Sequence, residues 1–313
     1  MTRNQAFVLL HLCVFLWGFT AVLGKLITYD SVPMVWWRLV IVVISLALFF
    51  IIARKKIVLS NEIFWKIAGV GAIVGIHWLC FFGGVKVANI AITMISFSTG
   101  TFFTALIEPI VYKRKVYANE VIIGILIMAI ISVIGYSEYE QAKNPLLGIL
   151  LGSLAAFTAA LFSTFNGKLI LKSNAFTISF IELIFALILV SVGMLLFFDI
   201  PSNLFSPSRD DLIYLLLLGI VCTAVPFILS VEIMKKLSPF SVNLAVNLEI
   251  VYAIIFGYLI FEDEKDMTPT FYICSVLIFL LIVANEILKR RRKRKKEALL
   301  NKFPNNEVLD SEF

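Results

Sequence analysis

Glu249 sits near the middle of a long apolar stretch, with Asn243, Asn247 and Tyr252 supplying polar groups partly on the same side of the helix that stretch predicts. An ionisable side chain so placed costs about 3 kcal/mol on insertion scales and marks a proton, ion or substrate site by default. The chemistry open to it is proton exchange. Glu249 is the proton-coupling candidate, expected to be protonated in part of a working cycle; the plainer reading is an acid that only ties helices together. Arg38 lies a little over one helical turn inside the end of its own apolar stretch. Its guanidinium suits bidentate pairing with a substrate carboxylate, and the competing reading is a long stem that carries the charge to the interface from about 8 Å deep. His77 and Trp78 place a ring that can carry a proton beside a face on which a substrate could stack, although a lone His next to an aromatic is more often packed, hydrogen-bonded and neutral. Ser96, Ser98, Thr99 and Thr101 bring hydroxyls that can serve a ligand or another helix. Glu108, Lys168, Glu182 and Glu232 are secondary intramembrane charges on the cytoplasmic side, and Glu182 is expected to pair with Lys168.

Other chemistry finds little support. His11 and His77 are the only histidines, no His-Glu-x-x-His pair or Cys/His cluster occurs, and Cys13, Cys80, Cys222 and Cys274 all lie in apolar runs, where cysteine packs as a small hydrophobe. Catalytic residues, a metal and a cofactor are therefore not expected, and neither are disulfides. The net charge of +6 is carried by short clusters between apolar runs, which argues against nucleic acid.

The elements that must position these groups follow from composition. Apolar residues make up 60% of 313 and charged residues 15%, with a mean hydropathy of +0.97; a soluble domain averages about 45–50% apolar and about 25% charged. The chain is a polytopic membrane protein. A bilayer core takes about 20 helical residues, and apolar runs of that order fall at 5–27, 33–53, 63–84, 88–112, 119–137, 146–170, 176–198, 211–233, 238–261 and 268–288. With the N-terminus inside, 21 of the 27 Lys and Arg face the cytoplasm and five the other side, which sets both termini as cytoplasmic. Trp36, Trp37 and Trp65 then stand at membrane boundaries. The block Lys289–Lys296 fixes the tail inside and offers a patch for anionic lipid, and Asn301–Phe313 is expected to be disordered.

The chain also repeats. At an offset of 149, Lys86 falls on Lys235, and Lys113, Arg114 and Lys115 fall on Glu262, Asp263 and Glu264. One unit thus occurs twice with the charge of its loop reversed, as a basic loop stays inside and an acidic one crosses. Gly24-Lys25-Leu26-Ile27 and Gly167-Lys168-Leu169-Ile170 match at an offset of 143, and Arg38 meets Glu182 if one residue is inserted. Five spans per half force opposite orientations. The expected fold is an all-α membrane protein of ten transmembrane helices in two inverted five-helix repeats, residues 1–142 and 143–288, followed by a basic tail at 289–313. Inverted repeats of this kind are built around a midplane site in many secondary transporters.

Phe15-Leu16-Trp17-Gly18-Phe19, and Lys235-Lys236-Leu237-Ser238-Pro239 leading to Ile260-Phe261-Glu262, give the chain a likeness. Over residues 5 to 288 it resembles the EamA branch of the drug/metabolite transporter superfamily. The family often carries proline midway along spans four and nine, where this chain has Thr101 and Ile250. The resemblance implies that spans one, three, four, six, eight and nine line a central cavity, which adds Trp17 and Asn166 to the substrate-binding candidates Arg38, His77, Trp78, Ser98, Asn243, Asn247 and Tyr252. It also implies a small-metabolite carrier in the inner membrane, most simply an exporter of amino acids or related compounds working by alternating access. The alternatives are a sugar, nucleotide-sugar or cationic-drug carrier, and, from other classes, an intramembrane enzyme or a lipid-scrambling protein.

Overall fold

The structure, a computed structural model, describes residues 1–54, 56–135 and 142–260, and beyond them 273–274, 276–285, 287–288 and 291. All regular structure among these is helical. Lys289–Lys296 apart from Arg291, the loop Phe261–Glu264 and Asn301–Phe313 lie outside the described residues.

The first half comprises α1 (Arg3–Leu26), α2 (Ser31–Ile52), α3 (Asn61–Val87), α4 (Ile90–Phe97), α5 (Gly100–Tyr112) and α6 (Ala118–Gly135). In the second half come α7 (Pro145–Leu169), α8 (Ala175–Phe197), α9 (Arg209–Leu216), a π-helical stretch (Leu217–Ala224), α10 (Val225–Ile233), α11 (Pro239–Val246), α12 (Leu248–Ile260) and α13 (Val276–Asn285). Eight helical stretches are long and apolar enough to cross a bilayer, and Ala118–Val133 and Val276–Asn285 are shorter apolar helices in the fifth and tenth positions.

Polar residues at the helix starts explain where several of them begin. Thr2 accepts from the Gln5 backbone N–H while the Gln5 side chain accepts from the Thr2 N–H, a reciprocal cap that satisfies two orphan donors. Ser60, Asn144, Asn174 and Ser208 each accept from a backbone N–H three residues on.

Two spans read as continuous from hydropathy are broken. Span four divides into α4 and α5 at Ser98–Thr99, and span nine into α11 and α12 at Asn247. The breaks keep the sequence offset: the N-caps Asn89 and Ser238 are 149 apart, as are Ser98 and Asn247. Neither break holds a proline. Instead, Ser98 and Thr99 turn their hydroxyls onto the carbonyls of Ile95 and Ser96, and such back-bonding competes with the helical ladder. Span eight is deformed in another way. Its π-helical stretch runs into Pro226, in the first turn of α10, where proline's missing N–H would otherwise interrupt the ladder.

Packing between halves is reciprocal. The first span lies along α12, and its counterpart α7 lies along α4 and α5. Likewise α3 packs on α8, while the span from α9 to α10 packs on α2. Close approach in the last two contacts depends on glycine: a Cβ on Gly71 would stand 2.3 Å from the Glu182 carbonyl oxygen, and one on Gly219 would stand 2.7 Å from Ile41 and 3.4 Å from the Arg38 carbonyl oxygen. Small residues let helix backbones meet where lipid supplies no hydrophobic drive. At one end of the bundle the segment after α8 folds back, with Leu204 packed on Val32 and Met194. Tyr29 donates to the Asn203 carbonyl at 2.7 Å, and Trp37 donates to the Leu204 carbonyl at 2.8 Å.

Candidate functional site

A cavity of about 80 Å³ lies between the two halves. Eight of its seventeen lining residues form pairs related by the offsets of the repeat: Thr20 with Ser163 at 143, and Trp78 with Phe227, Phe81 with Ser230 and Phe97 with Val246 at 149. The cavity is therefore built around the relation between the halves, where the fold brings like elements face to face. The charges break that symmetry. Glu249 lines the cavity where the first half has Gly100, and Arg38 lines it where the second half has Glu182, which is not among the lining residues.

Arg38 does not reach for the interface. It is 3% exposed, donates through Nε to Thr223 Oγ1 at 2.5 Å, and lies over the rings of Trp78 and Phe82, its central carbon 4.4 and 5.3 Å from their centroids. That is its one hydrogen bond among the described residues, so both terminal nitrogens of the fork are left for a ligand. Trp78 thus presents one face to Arg38 and lines the cavity. Glu249, 6% exposed, shares the cavity with Arg38 and makes no hydrogen bond or ion pair with any described residue.

His77 is packed and hydrogen-bonded as the plainer reading expected: Nδ1 lies 2.8 Å from the Ala155 carbonyl oxygen. A carbonyl only accepts, so Nδ1 carries the hydrogen of the neutral ring and Nε2 is left as an acceptor. Phe97 and Phe162 flank the ring. Asn243 donates to Ser163 Oγ at 2.7 Å and to Thr104 Oγ1 at 2.9 Å, tying the cavity wall to both α7 and α5.

Other candidates fall elsewhere. Ser98 and Asn247 line a neighbouring space of about 20 Å³ together with Thr101, and Asn247 donates to Thr101 Oγ1 at 2.6 Å. Ser96 back-bonds to the Ile92 carbonyl. Tyr252 is not among the cavity's lining residues: its ring packs edge-on against Phe15, and its Cβ lies against Gly18, where an added Cβ would stand 2.5 Å away. Asn166 is not there either, because it is buried against Glu182, donating to Oε2 at 3.1 Å. Glu182 thus pairs with Asn166 and not with Lys168, whose ammonium goes to the Val111 carbonyl. Residues sixteen apart across the α7–α8 hairpin meet, whereas Lys168 extends toward the end of α5.

Glu108 belongs to a polar cluster at the end of the bundle away from Tyr29. It accepts from Arg114 at 3.0 Å and from the Phe240 backbone N–H at 2.7 Å, and Arg114 also reaches Glu120 at 2.7 Å. Burial opposes the Arg114 charge, but Glu108 and Glu120 outweigh it and hold the guanidinium above its ordinary pKa. Glu232 pairs with Lys235 nearer the surface, at 2.8 Å.

Sequence reasoning missed Thr20, Phe81, Phe97, Phe162, Ser163, Phe227 and Ser230 as cavity wall. The repeat offset could have found one of them, since Trp78 at 149 names Phe227. Thr223, the partner of Arg38, carries no signal of its own.

A match to the EamA-like transporter family covers residues 5–136 and again 146–285. Comparison with curated proteins returns no match. A solved crystal structure superposes with a TM-score of 0.73 over 93% of this chain and 99% of its own, at 14% identity, which shows the shared fold. Two consecutive family units, each spanning five helices and packed reciprocally about one cavity, lead to one assignment: the chain belongs to the EamA-like transporter family.

Proposed function

We propose that this transporter carries a small zwitterionic metabolite, an amino acid or a close relative, and exports it by alternating access of the central cavity. The observation that carries the reading is the presence of Arg38 and Glu249 on one cavity with no ion pair between them. A guanidinium fork suits a carboxylate, an unpaired carboxylate suits an ammonium, and Phe81, Phe97, Phe162 and Phe227 suit an apolar side chain. The volume favours a small solute, because drug-sized ligands occupy pockets of about 300–1,000 Å³. A nucleotide sugar is too large for this state of the cavity, and a cationic drug would meet Arg38. Residues 1–142 and 143–288 act as the two rocking units, in the inner membrane with both termini cytoplasmic. A patch at Lys289–Lys296 holds anionic lipid headgroups.

The test is a thermal-stability screen of the purified protein with amino acids, sugars and organic cations, since a ligand that binds the folded state raises its melting temperature. An amino acid should stabilise wild type and fail to stabilise Arg38→Met. Stabilisation by sugars or cations alone would overturn the zwitterion reading. Flux of the labelled ligand in proteoliposomes then separates carriage from mere binding. A reporter active only outside the cytoplasm should stay silent when fused after Lys296, and a signal there reverses the orientation.

A further inference from the structure

Away from the cavity, four buried oxygens at the α7–α8 hairpin carry no hydrogen bond among the described residues: Glu182 Oε1, Asn166 Oδ1, Ser179 Oγ and Thr164 Oγ1. Glu182 is fully buried and Asn166 is 1% exposed. The two are already joined by the bond from Asn166 Nδ2 to Glu182 Oε2. The remaining oxygen of each is an acceptor if the acid is ionised, so neither can satisfy the other.

Among the described residues no charge compensates an ionised Glu182. On the elements packed against α8, Arg38 of α2 is bonded to Thr223, Lys66 of α3 to Glu62 and His77 of α3 to the Ala155 carbonyl, while Glu232 of α10 is bonded to Lys235. Lys86 of α3 makes no ion pair with it, and Lys168 of α7 turns to the Val111 carbonyl. A buried carboxylate with one neutral donor and no countercharge is among the costliest arrangements a fold can hold. Placing a proton on Oε1 converts one orphan acceptor into the donor that Asn166 Oδ1 lacks. Acid and amide then satisfy each other through both atoms.

We propose that Glu182 and Asn166 form an occluded proton-binding site, separate from the cavity that holds Arg38 and Glu249, with the proton shared between Glu182 Oε1 and Asn166 Oδ1. The site lies where the two halves touch. The α3 backbone at Gly71 presses directly on the Glu182 backbone, so the first half covers a proton carried by the second. A sodium ion fits the donor set less well, because hard cations gather several oxygens around them and here two acceptors are offered by the pair, with Ser179 one turn away and bonded to neither, and Thr164 two residues from Asn166 on α7 and so on another side of that helix.

Infrared spectra of the purified protein in lipid at neutral pH test this without any transported substrate. A protonated carboxylic acid absorbs apart from a carboxylate. Glu249→Gln, which removes the other candidate acid, should show an acid carbonyl band that shifts on exchange into heavy water and disappears when Glu182→Gln is added. A band kept in that double variant, or no band in Glu249→Gln, overturns the proposal. So does a band that gives way to carboxylate absorption when sodium chloride replaces choline chloride. Should Glu182→Gln fail to fold, Asn166→Leu removes the amide partner and should move the band to higher frequency; an unmoved band overturns the pairing.

Discussion

Asn247 donates its side-chain N–H to Thr101 Oγ1 at 2.6 Å, joining the break in span nine to the first turn after the break in span four. The same amide donates to the Asn243 and Leu244 carbonyls at 3.1 and 3.0 Å, groups that an uninterrupted helix would have satisfied through its own backbone. Each half therefore carries a discontinuous helix, and the polar side chain at one discontinuity is satisfied by the other half. Where family members often use proline, this chain uses Thr101 and Ile250, and the breaks persist because side chains replace the backbone partners.

Thr101→Val keeps the shape and removes that acceptor. It should lower stability by about 1 kcal/mol, the net worth of a typical hydrogen bond, and more if the Asn247 amide is left buried without a partner. Thermal unfolding of wild type and variant in the same detergent is the check, and an unchanged melting temperature would mean that Asn247 re-pairs freely.

Glu249 faces the cavity without a hydrogen bond or ion pair to any described residue, which leaves its carboxyl open to take up and give back a proton. Glu249→Gln should fold, bind substrate and lose the response of transport to an imposed pH gradient. Uptake into proteoliposomes with and without the gradient decides it. A mutant that responds as wild type does makes Glu249 structural.

For Arg38, lysine is not a conservative change, because the fork and its stacking on Trp78 both go. Arg38→Lys should weaken substrate binding roughly tenfold to a hundredfold, matching about 1.5–3 kcal/mol for hydrogen bonds to a charged group. Titration of the ligand by calorimetry reads this directly, and an unchanged affinity removes Arg38 from the site.

Two glycines on α3 separate packing from propensity. Gly71→Ala drives a methyl group into the Glu182 backbone and should cost about 1–3 kcal/mol by overpacking. Gly69→Ala meets nothing within 4 Å and should be neutral or stabilise by up to about 1 kcal/mol through helix propensity. Equal melting temperatures for the two variants would remove the α3–α8 contact from the account.

At the Tyr29 end, burial first and then the neighbouring Asp211 charge raise the Tyr29 pKa above its usual value, partly offset by Trp37. A raised value in the folded state means that the contribution of Tyr29 is complete below the ordinary tyrosine range and is lost as pH rises through the folded value. Tyr29→Phe should cost about 1 kcal/mol at neutral pH, through the lost bond to the Asn203 carbonyl. The gap between variant and wild type should close in strong alkali. A gap independent of pH would show that the hydroxyl does not titrate with unfolding.

Hydropathy, charge asymmetry and the two offsets determined the number and order of the spans, the repeat and its inversion, and the short list of intramembrane charges, because each is a property of local composition or of the chain compared with itself. The offset of 149 even carried the caps Asn89 and Ser238 and the breaks at Ser98 and Asn247, although nothing in the hydropathy of spans four and nine announced that they divide. Tertiary structure alone decided which charges meet. Arg38 and Glu249 share a cavity from opposite halves of the chain, while Glu182 takes Asn166 and leaves Lys168 to the Val111 carbonyl. Asn166, Thr223 and Ser163 are neutral, and a neutral polar residue leaves little trace in a hydropathy profile, so its partner is set only when the helices pack. Tyr252 shows the same limit from the other side: three residues from Glu249 on the same helix, α12, its ring is taken up by Phe15 of α1, a contact set only when the spans pack.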